Sequence, residues 1–539
     1  MKEKPISIIL ILLFSWILYG CSYLLPVSST PSTTEKEKEK EPSSSNAPVK
    51  NTSNESIQIT VSPSSTVMIV PDFSQQYPIE ENLISFNTGF MFTAPLEKEP
   101  AVKTITQTIR PSAFRFPGGT IGNYYHPDGI GYGFRQEDVK GGFADITKAM
   151  PLFDKNAIYH FADLCKMSNS NVVFVANMLT GTVEEALWCI DYFHQQNIKV
   201  VGIELGNEFY LPQYRNAYPS VNVYIQQAKE FATQIKKKYP KIPLGVVAGD
   251  PTEPNPKSSY LKFMNQWNVG LGKENFYDFY IPHLYSKVEI CEQKGGNDLK
   301  AVYECADYTL APEFFNYTQI VLDHYKQFYG NKRLWITEWN MDAGNATSNT
   351  MRHAEFVSEF LLTWVDAAAK NKQIEYAFFH NYGSGGYAAP IFTYSNKRNV
   401  DYLRKEGNIA YNSTYFSFLY LREIMDQKAL RISEKISYPK GLSIQNVIFK
   451  TFYSKEKNSL FLYFINKTAQ TVNFDIKGAK GIIKSEGIQG KYPWSVAGWN
   501  GLYKSSPEQV DLIQYLPKNK GVNDYSMPSN SIGYLEIKL

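Results

Sequence analysis

Two glutamates at the ends of apolar segments are the residues of this chain best suited to chemistry. Glu208 ends the segment 200–208, and Glu338 lies 130 residues further along, in the segment 334–340. Each segment is an aliphatic or aromatic run whose last residues turn polar, which is typical of a buried β-strand. Two carboxylates that meet across one pocket can cleave a glycosidic bond, one as proton donor and the other as nucleophile.

The elements that must position these glutamates alternate short apolar runs with longer amphipathic ones, as in repeated βα units. We predict eight strands, at residues 83–90, 113–118, 171–178, 200–208, 243–250, 277–285, 333–340 and 374–382. Helices are predicted at 182–196, 221–239, 312–329, 352–370 and 411–425. Eight strands favour an α/β fold with a closed (β/α)8 TIM barrel, in which the carboxyl ends of the strands face the active site. The alternative is a doubly wound sheet, which usually has fewer strands and a glycine-rich phosphate turn.

The character of the chain changes after Met425. Short β-rich segments follow, separated by Gly, Asn, Lys and Pro, at 447–453, 460–465, 471–476 and 532–537. This pattern predicts an accessory antiparallel β-sandwich domain over residues 426–539. Two further strands, at 57–61 and 66–70, lie in the segment 57–82 and are expected to join the sandwich, so that residues 83–425 form the barrel.

The amino-terminal segment indicates export. Lys2 and Lys4 precede an apolar stretch at 6–19 that is short for a transmembrane span. Leu18-Tyr19-Gly20-Cys21 resembles a bacterial lipobox, which implies a lipoprotein signal peptide over residues 1–21 and lipidation of Cys21. An ordinary signal peptide or a membrane anchor is the alternative. Residues 22–56 are rich in Ser, Thr, Pro, Glu and Lys and predict a disordered tether. We therefore expect an exported protein, lipid-anchored to the cell envelope at the outer membrane or cell surface.

Composition and cysteine content give no support for nucleic-acid binding or for a structural metal site. The 539 residues carry a formal charge of only +3, and no basic stripe favours a nucleic-acid partner. No CxxC or His-rich cluster suggests a metal, and we predict no cofactor. Cys165 and Cys189 fall in helical patterns and are expected to be buried thiols. Cys291 and Cys305 bracket a glycine-rich loop and could form a disulfide or stay reduced.

Several short motifs resemble glycoside hydrolases of clan A. The segment 114–119, Phe-Arg-Phe-Pro-Gly-Gly, together with Asp-Gly-Ile-Gly at 128–131, is similar to the second-strand motif of family 51, the α-L-arabinofuranosidases. Gly-Asn-Glu at 206–208 resembles the acid/base motif of that family. Ile-Thr-Glu-Trp-Asn at 336–340 looks closer to the nucleophile motif of family 39, the β-xylosidases and α-iduronidases.

The resemblance implies a role for each residue of a catalytic site. Glu208 would be the acid/base and Glu338 the nucleophile, while Tyr285 would hold the nucleophile and Asn207 would bind the substrate 2-hydroxyl. The chemistry requires Glu208 to be protonated at rest, with a pKa raised by burial and by the second carboxylate, and Glu338 to be ionised beside hydrogen-bond donors or positive charge. Arg115, at the end of the second strand, is a candidate donor.

The remaining candidates for substrate binding have structural alternatives. Arg115 could serve only as an ion-pair partner, and His283 could either bind substrate or support the barrel mouth. His380 and Tyr382 end the eighth strand, where the clan often places an aromatic platform beneath the sugar. A structural role is the alternative for both.

Together these features predict a retaining glycoside hydrolase that acts on a polysaccharide or oligosaccharide, either α-L-arabinofuranosidase-like or a β-glycosidase. A catalytically inactive cell-surface glycan-binding lipoprotein is the alternative, and transglycosylation would use the same residues. The only predicted partner is the carbohydrate substrate, and the only membrane contact is through the lipid anchor. The chain departs from the family 51 pattern at Phe209, at Thr337 and in an apparent insertion at 286–310, so the sugar and the linkage stay open. Exo or endo action and the oligomeric state are also open.

Overall fold

The structure, a computed structural model, describes residues 66–89, 91–93, 95–138, 157–250, 258–310, 322–371, 374–384, 390–394, 409–497, 510–513 and 525–539. The expected signal peptide with Cys21, the tether and the strand at 57–61 lie outside these residues, as does the first part of the helix expected at 312–329. No helix of the described segments has both the length and the apolarity needed to cross a lipid bilayer.

A closed barrel of eight parallel strands forms the larger part of the fold, and this confirms the predicted fold class. In chain order the strands are Ser85–Asn87, Ala113–Phe116, Asn171–Ala176, Val200–Leu205, Leu244–Val247, Phe279–Ile281 with its continuation His283–Ser286, Leu334–Met341 and Ile374–His380. We number them barrel strands 1 to 8. Strand 8 pairs with strand 1 through Phe378 and Ser85, which closes the barrel.

Helices surround the barrel and follow the strands in the expected alternation. Those that the structure describes in full are Pro100–Ile109, Ala157–Ser168, Val183–Gln195, Val221–Lys238, Ser259–Leu271, Glu289–Gly295, Leu299–Thr309, Met351–Asn371 and Ser413–Asp426, and residues 322–329 are also helical. The helix after strand 3 shows how sequence sets a boundary. Thr182 accepts a hydrogen bond from the Glu185 amide while the Glu185 side chain bonds the Thr182 amide, so two orphan donors of the first turn are satisfied.

One large side chain fills the lower part of the barrel. Trp335 is fully buried and packs against Ala113, Val173, Ile281, Tyr376 and Phe378. The indole of Trp335 leaves no room for a side chain at Gly202, where a Cβ would lie 2.1 Å from the ring. The interior is therefore closed at this level, and polar side chains occur above it, at the carboxyl ends of the strands.

Strands 6 and 7 are less regular than the sequence suggested. The strand predicted at 277–285 is interrupted at Pro282, which has no amide hydrogen for the ladder. In strand 7 the pairing with strand 8 shifts register between Ile336 and Trp339. Such a bulge changes the direction in which neighbouring side chains point.

The accessory domain is one curled sheet of nine strands. Their order is Val510–Ile513, Gly481–Gly490, Ser531–Lys538, Ser459–Asn466, Val447–Ser454, Leu430–Ser437, Thr66–Tyr77, Val472–Ile476 and Tyr525–Met527. All neighbours are antiparallel except Thr66–Tyr77 and Val472–Ile476, which run parallel. The sheet curls around its own apolar core, which includes Phe449, Leu462 and Phe474, and it contains strands from both ends of the described chain.

Buried polar contacts join this sheet to the barrel. On the barrel helix Met351–Asn371, Asp366 receives hydrogen bonds from Arg431 at 2.7 Å and from Lys450 at 2.6 Å. The Ser358 and Tyr463 hydroxyls lie 2.9 Å apart. The accessory sheet thus supports the side of the barrel that bears the last two strands.

Candidate active site

The two glutamates singled out by sequence lie close together at the carboxyl ends of strands 4 and 7. One carboxylate oxygen of Glu208 and one of Glu338 are within 4.8 Å of each other, and both are within that distance of a ring nitrogen of His283. A spacing of this size brings both carboxylates within reach of one reacting carbon placed between them.

Arg115 is the central charged group of the site. It is fully buried and makes four short hydrogen bonds: Nε and Nη2 donate to the Glu204 carboxylate at 2.7 and 2.8 Å, Nη1 donates to Glu338 Oε1 at 2.7 Å, and Nη2 donates to Asn207 Oδ1 at 2.7 Å. A planar guanidinium can satisfy these partners at once, because its donors form a fixed fork.

Glu338 is held in the ionised form. Besides Arg115, Tyr285 donates its hydroxyl to Oε2 at 2.6 Å, and the Asn87 amide approaches Oε1 at 3.5 Å. Burial would by itself raise the pKa of Glu338, but the charges of His283 and Arg115 and the hydrogen bond from Tyr285 outweigh it and hold the pKa well below its usual range. An ionised carboxylate in a nearly dry site is a ready nucleophile.

The bulge in strand 7 explains how two consecutive side chains reach this site. Thr337 contacts Glu204 Oε1 and His283 Nε2, at 3.4 and 3.1 Å, while Glu338 contacts Arg115 and Tyr285. In a regular strand, neighbouring residues point to opposite faces. The following residue, Trp339, points away and is buried among aromatic rings of the surrounding helices.

Glu208 occupies a different setting from Glu338. Its Oε1 lies 2.8 Å from His283 Nδ1 and 3.4 Å from the Tyr210 hydroxyl, and its side chain is 18% exposed, against 7% for Glu338. The backbone at Glu208 is left-handed, with φ of +51°. The chain thus turns sharply where strand 4 ends, and the turn directs Glu208 across the site toward Glu338.

His283 connects the two carboxylates. Its Nδ1 lies 2.8 Å from Glu208 Oε1 and 3.6 Å from Glu338 Oε2. Burial lowers the pKa of His283, but the neighbouring charges of Glu338 and Glu208 and the hydrogen bond to Glu208 raise it above the ordinary value. A protonated ring would donate from Nδ1 to Glu208 and from Nε2 to Thr337, so both ring nitrogens have suitable partners.

Asn207 is fully buried and has one unsatisfied group. Its Oδ1 accepts from Arg115, whereas its Nδ2 has no hydrogen-bond partner in the part of the chain that the structure describes. A buried amide donor without a partner is costly, unless a ligand supplies the acceptor. Its position beside both glutamates makes a substrate hydroxyl a suitable acceptor.

The two candidates from strand 8 have different positions. The His380 ring lies 6.1 Å from Tyr285, edge to face, and burial lowers its pKa to about 4, so the ring is neutral at physiological pH. The interpretation of Tyr382 as a substrate-binding residue is wrong. Its ring is fully buried among Phe86, Phe114 and Phe392, and its hydroxyl pairs with Thr106 at 2.8 Å. The chain has already left strand 8 at this point and turns the ring into the core.

Three residues of the site are not indicated by the sequence motifs. Glu204 forms the buried pair with Arg115, Asn123 bonds the backbone of Asn207, and Asn87 approaches Glu338. Glu204 could have been recognised from the sequence, because it is a charged residue inside an apolar strand, two residues before a glycine and four before Glu208. The two asparagines could not, because their partners are distant in sequence.

A disulfide-linked helical pair lies beside the loop that follows strand 7. Cys291 and Cys305 are bonded, with Cα atoms 5.5 Å apart, and they join the helices Glu289–Gly295 and Leu299–Thr309. Glu292, next to the disulfide, accepts hydrogen bonds from the amides of Ala346 and Thr347, at 3.0 and 2.9 Å. The segment that departs from the family pattern therefore supports the loop after the Glu338 strand. Cys165 and Cys189 are buried free thiols.

Two groups of side chains have the spacing of metal ligands. They are Glu208, His283 and Glu338, and His126, Asp128 and Glu185. In the first group Arg115 and Tyr285 bond the Glu338 oxygens. In the second, Arg135 donates to both carboxylates. Protein cations or hydroxyls thus bond Glu338 in the first group and both carboxylates in the second, and neither group is assigned to a metal.

Comparison with known proteins gives a similarity in structure alone. No protein-family model matches the sequence, and no curated protein is similar to it at a significant level. Among solved structures, a family 51 arabinofuranosidase from Xanthomonas axonopodis pv. citri covers 88% of this chain and 100% of its own, with a TM-score of 0.63 at 14% identity. An α-L-arabinofuranosidase from Thermotoga maritima has a TM-score of 0.62 at 15% identity, with the same coverage.

A third similar structure is a family 44 xyloglucanase from Paenibacillus polymyxa. It covers 88% of this chain and 100% of its own, with a TM-score of 0.52 at 13% identity. The fold, barrel and accessory sheet together, is therefore one that glycoside hydrolases of more than one family use. At these identities the similarity concerns the fold, and function must be argued from the site.

Proposed function

We propose that this protein is a retaining glycoside hydrolase that cleaves glycosidic bonds by a double displacement, with Glu338 as nucleophile and Glu208 as acid/base. The observation that carries the proposal is that one oxygen of Glu208 lies within 4.8 Å of one oxygen of Glu338. Retaining enzymes place the two carboxyl groups about 5–5.5 Å apart, whereas inverting enzymes need about 6.5–9.5 Å to admit water.

In the first step the Glu338 oxygen attacks the anomeric carbon while the bond from that carbon to the leaving oxygen breaks. Glu208, in its protonated form, gives its hydrogen to the departing oxygen, so that an alcohol leaves and a glycosyl ester forms on Glu338. Arg115 and Tyr285 keep Glu338 ionised until it attacks. The bond between His283 and Glu208, at 2.8 Å, fixes the direction of the acid/base carboxyl.

In the second step Glu208, now ionised, accepts a proton from water as the water oxygen attacks the same carbon. The ester bond breaks, the sugar leaves with its original anomeric configuration, and Glu338 becomes ionised again. A sugar hydroxyl in place of water would give transglycosylation with the same residues.

The substrate class follows from the groups that remain free for it. The unsatisfied amide of Asn207 is suited to a sugar hydroxyl next to the anomeric carbon. The family 51 resemblance of the segments 114–119 and 206–208, with the similar fold of arabinofuranosidases, favours an α-L-arabinofuranoside. The family 39 resemblance of 336–340 keeps a β-glycoside as the second candidate.

A panel of chromogenic aryl glycosides tests the proposal, with arabinofuranosides, xylosides and glucosides of both anomeric forms. We expect turnover on at least one glycoside and a loss of roughly 10⁴-fold or more in Glu338→Ala, because the covalent step is then impossible. Glu304→Gln, an exposed glutamate of a helix outside the site, is the matched control and should retain wild-type rates.

Two results would contradict the proposal. Unchanged rates in Glu338→Ala would exclude this residue as the nucleophile. Binding of oligosaccharides by a wild-type protein that turns over no glycoside would favour the alternative, an inactive glycan-binding lipoprotein.

We also propose that the enzyme is anchored to the cell envelope through Cys21. The proposal rests on the segment 18–21, its resemblance to a lipobox and the polar tether that follows. Cells supplied with labelled palmitate should label the wild-type protein, and Cys21→Ser should abolish the label. Equal labelling of both would contradict lipidation at this cysteine.

A further inference from the structure

Asn123 makes an unusual contact with the backbone beside the acid/base glutamate. It ends the short helical turn Gly119–Asn123 after strand 2, and its side chain is fully buried. Its Nδ2 donates to the carbonyl oxygen of Asn207 at 2.8 Å, and its Oδ1 accepts from the amide of the same residue at 3.0 Å. One side chain thus bonds both backbone polar groups of the residue that precedes Glu208.

These two hydrogen bonds fix two peptide planes. The Asn207 amide belongs to the peptide that joins it to Gly206, and the Asn207 carbonyl belongs to the peptide that joins it to Glu208. With both planes held, the Cα of Glu208 and the direction of its side chain have little freedom. Asn123 therefore acts on Glu208 without touching its carboxyl group.

The backbone at Glu208 needs such support. Its φ of +51° is in the left-handed region, which costs a residue with a side chain roughly 1–2 kcal/mol relative to the right-handed form. Gly206, with φ of +83°, also adopts a positive angle. A conformation of this kind persists only where the surroundings over-determine it.

The segment that ends in Asn123 also reaches the nucleophile. A Cβ at Gly119, the first residue of the turn, would lie 3.6 Å from Glu338 Oε1, and Arg115, on the strand before it, donates to both Glu338 and Asn207. The region from strand 2 to Asn123 consequently lies against both halves of the catalytic pair.

From this geometry we infer that Asn123 is a positioning residue for proton donation, which sets the place of the Glu208 carboxyl relative to the leaving oxygen. The inference rests on the proposed function. It predicts a selective defect, because a misplaced acid slows reactions whose leaving group needs a proton and spares those whose leaving group departs as a stable anion.

The experiment compares two aryl glycosides of the same sugar, a dinitrophenyl glycoside that needs little protonation and an unsubstituted phenyl glycoside that needs it. For Asn123→Ala we expect kcat/KM to fall about 10²-fold on the phenyl glycoside and less than about 5-fold on the dinitrophenyl glycoside. Asn123→Asp keeps the size of the side chain but loses the donor to the Asn207 carbonyl, and it should show the same selectivity. This variant replaces Asn123→Ala in the test if the alanine variant does not fold.

Asn268 provides a matched control. It is also fully buried, and it makes the same pair of bonds to one residue at the end of the neighbouring strand, donating to the Gly249 carbonyl at 3.0 Å and accepting from the Gly249 amide at 2.7 Å. Asn268→Ala should lower thermal stability and change the rates on both glycosides by the same factor.

The outcomes separate the possible failures. Equal losses on both glycosides in the Asn123 variants, as in Asn268→Ala, would overturn the positioning role and leave the proposed function standing. A wild-type protein without turnover on either glycoside of any sugar tested would overturn the proposed function and this inference with it.

Discussion

Removing the Arg115 side chain tests the charge arrangement of the site. In Arg115→Met the carboxylates of Glu204 and Glu338 lose their shared cation while both stay buried. Four hydrogen bonds of 2.7–2.8 Å disappear. Bonds to charged groups contribute about 1.5–3 kcal/mol each, but the four share one guanidinium and do not add.

We therefore use the measured range for breaking a buried ion pair, about 3–5 kcal/mol, as the expected loss in the free energy of unfolding. At about 2.1 cal/mol/K of unfolding entropy per residue, a loss of this size should lower the melting temperature of a 539-residue protein by roughly 3–4 °C. The rate should fall by about 10²–10³-fold, because Glu338 loses a donor that stabilises its ionised form.

A second variant separates stability from catalysis. Adding Glu204→Leu to Arg115→Met replaces the charged pair by apolar side chains, which is often neutral or stabilising in a protein interior. The double variant should recover most of the lost melting temperature and none of the lost activity, as measured by thermal unfolding and by kcat/KM on the best glycoside. Recovery of both would refute the reasoning, since Arg115 would then matter only as a partner of Glu204.

Three further predictions concern pH and the disulfide. In Tyr285→Phe the ionised form of Glu338 loses a hydrogen bond, so its pKa rises and the acid limb of the kcat/KM profile should move to higher pH; a limb that stays in place would contradict this. Burial and a neighbouring glutamate raise the pKa of Asp342 to about 7. The folded protein therefore binds a proton at this carboxyl more tightly than the unfolded chain does, and the stability of the fold decreases as pH rises from about 4 to about 7. Asp342→Asn should remove this loss, so the melting temperature of the variant minus that of the wild type should increase as pH rises from about 4 to about 7. A difference in melting temperature that does not change with pH would exclude the effect. Replacing Cys291 and Cys305 together by serine should destabilise the helical pair by about 3 kcal/mol and expose it to limited proteolysis, whereas unchanged resistance would show that other contacts suffice.

The barrel was predictable because its signal is local. Each strand is a short apolar run between turn residues, so all eight strands are found close to where the sequence placed them. The helices after strands 1, 2 and 5 were not predicted. The register shift in strand 7 was not predictable, since it is defined by pairing with strand 8. That shift is why Thr337 and Glu338 both point into the site.

The residues of the candidate site that lie at the ends of strands were predictable from the sequence. The parallel strands of a barrel end at one face, and this brings together Arg115, Asn207, His283, Tyr285 and the two glutamates. Asn123 was missed because its partner, Asn207, is 84 residues away and the contact is with backbone. Tyr382 was misplaced because the direction of a side chain beyond the last strand residue depends on a turn that the pattern does not describe.

The anomeric configuration of the first product formed tests the double displacement most directly. Proton magnetic resonance on a fresh digest of the best glycoside should show the sugar appearing with the configuration of the substrate, before mutarotation produces the other anomer. Initial appearance of the opposite anomer would mean that water attacks directly, and the pairing of Glu208 with Glu338 as acid/base and nucleophile would be wrong.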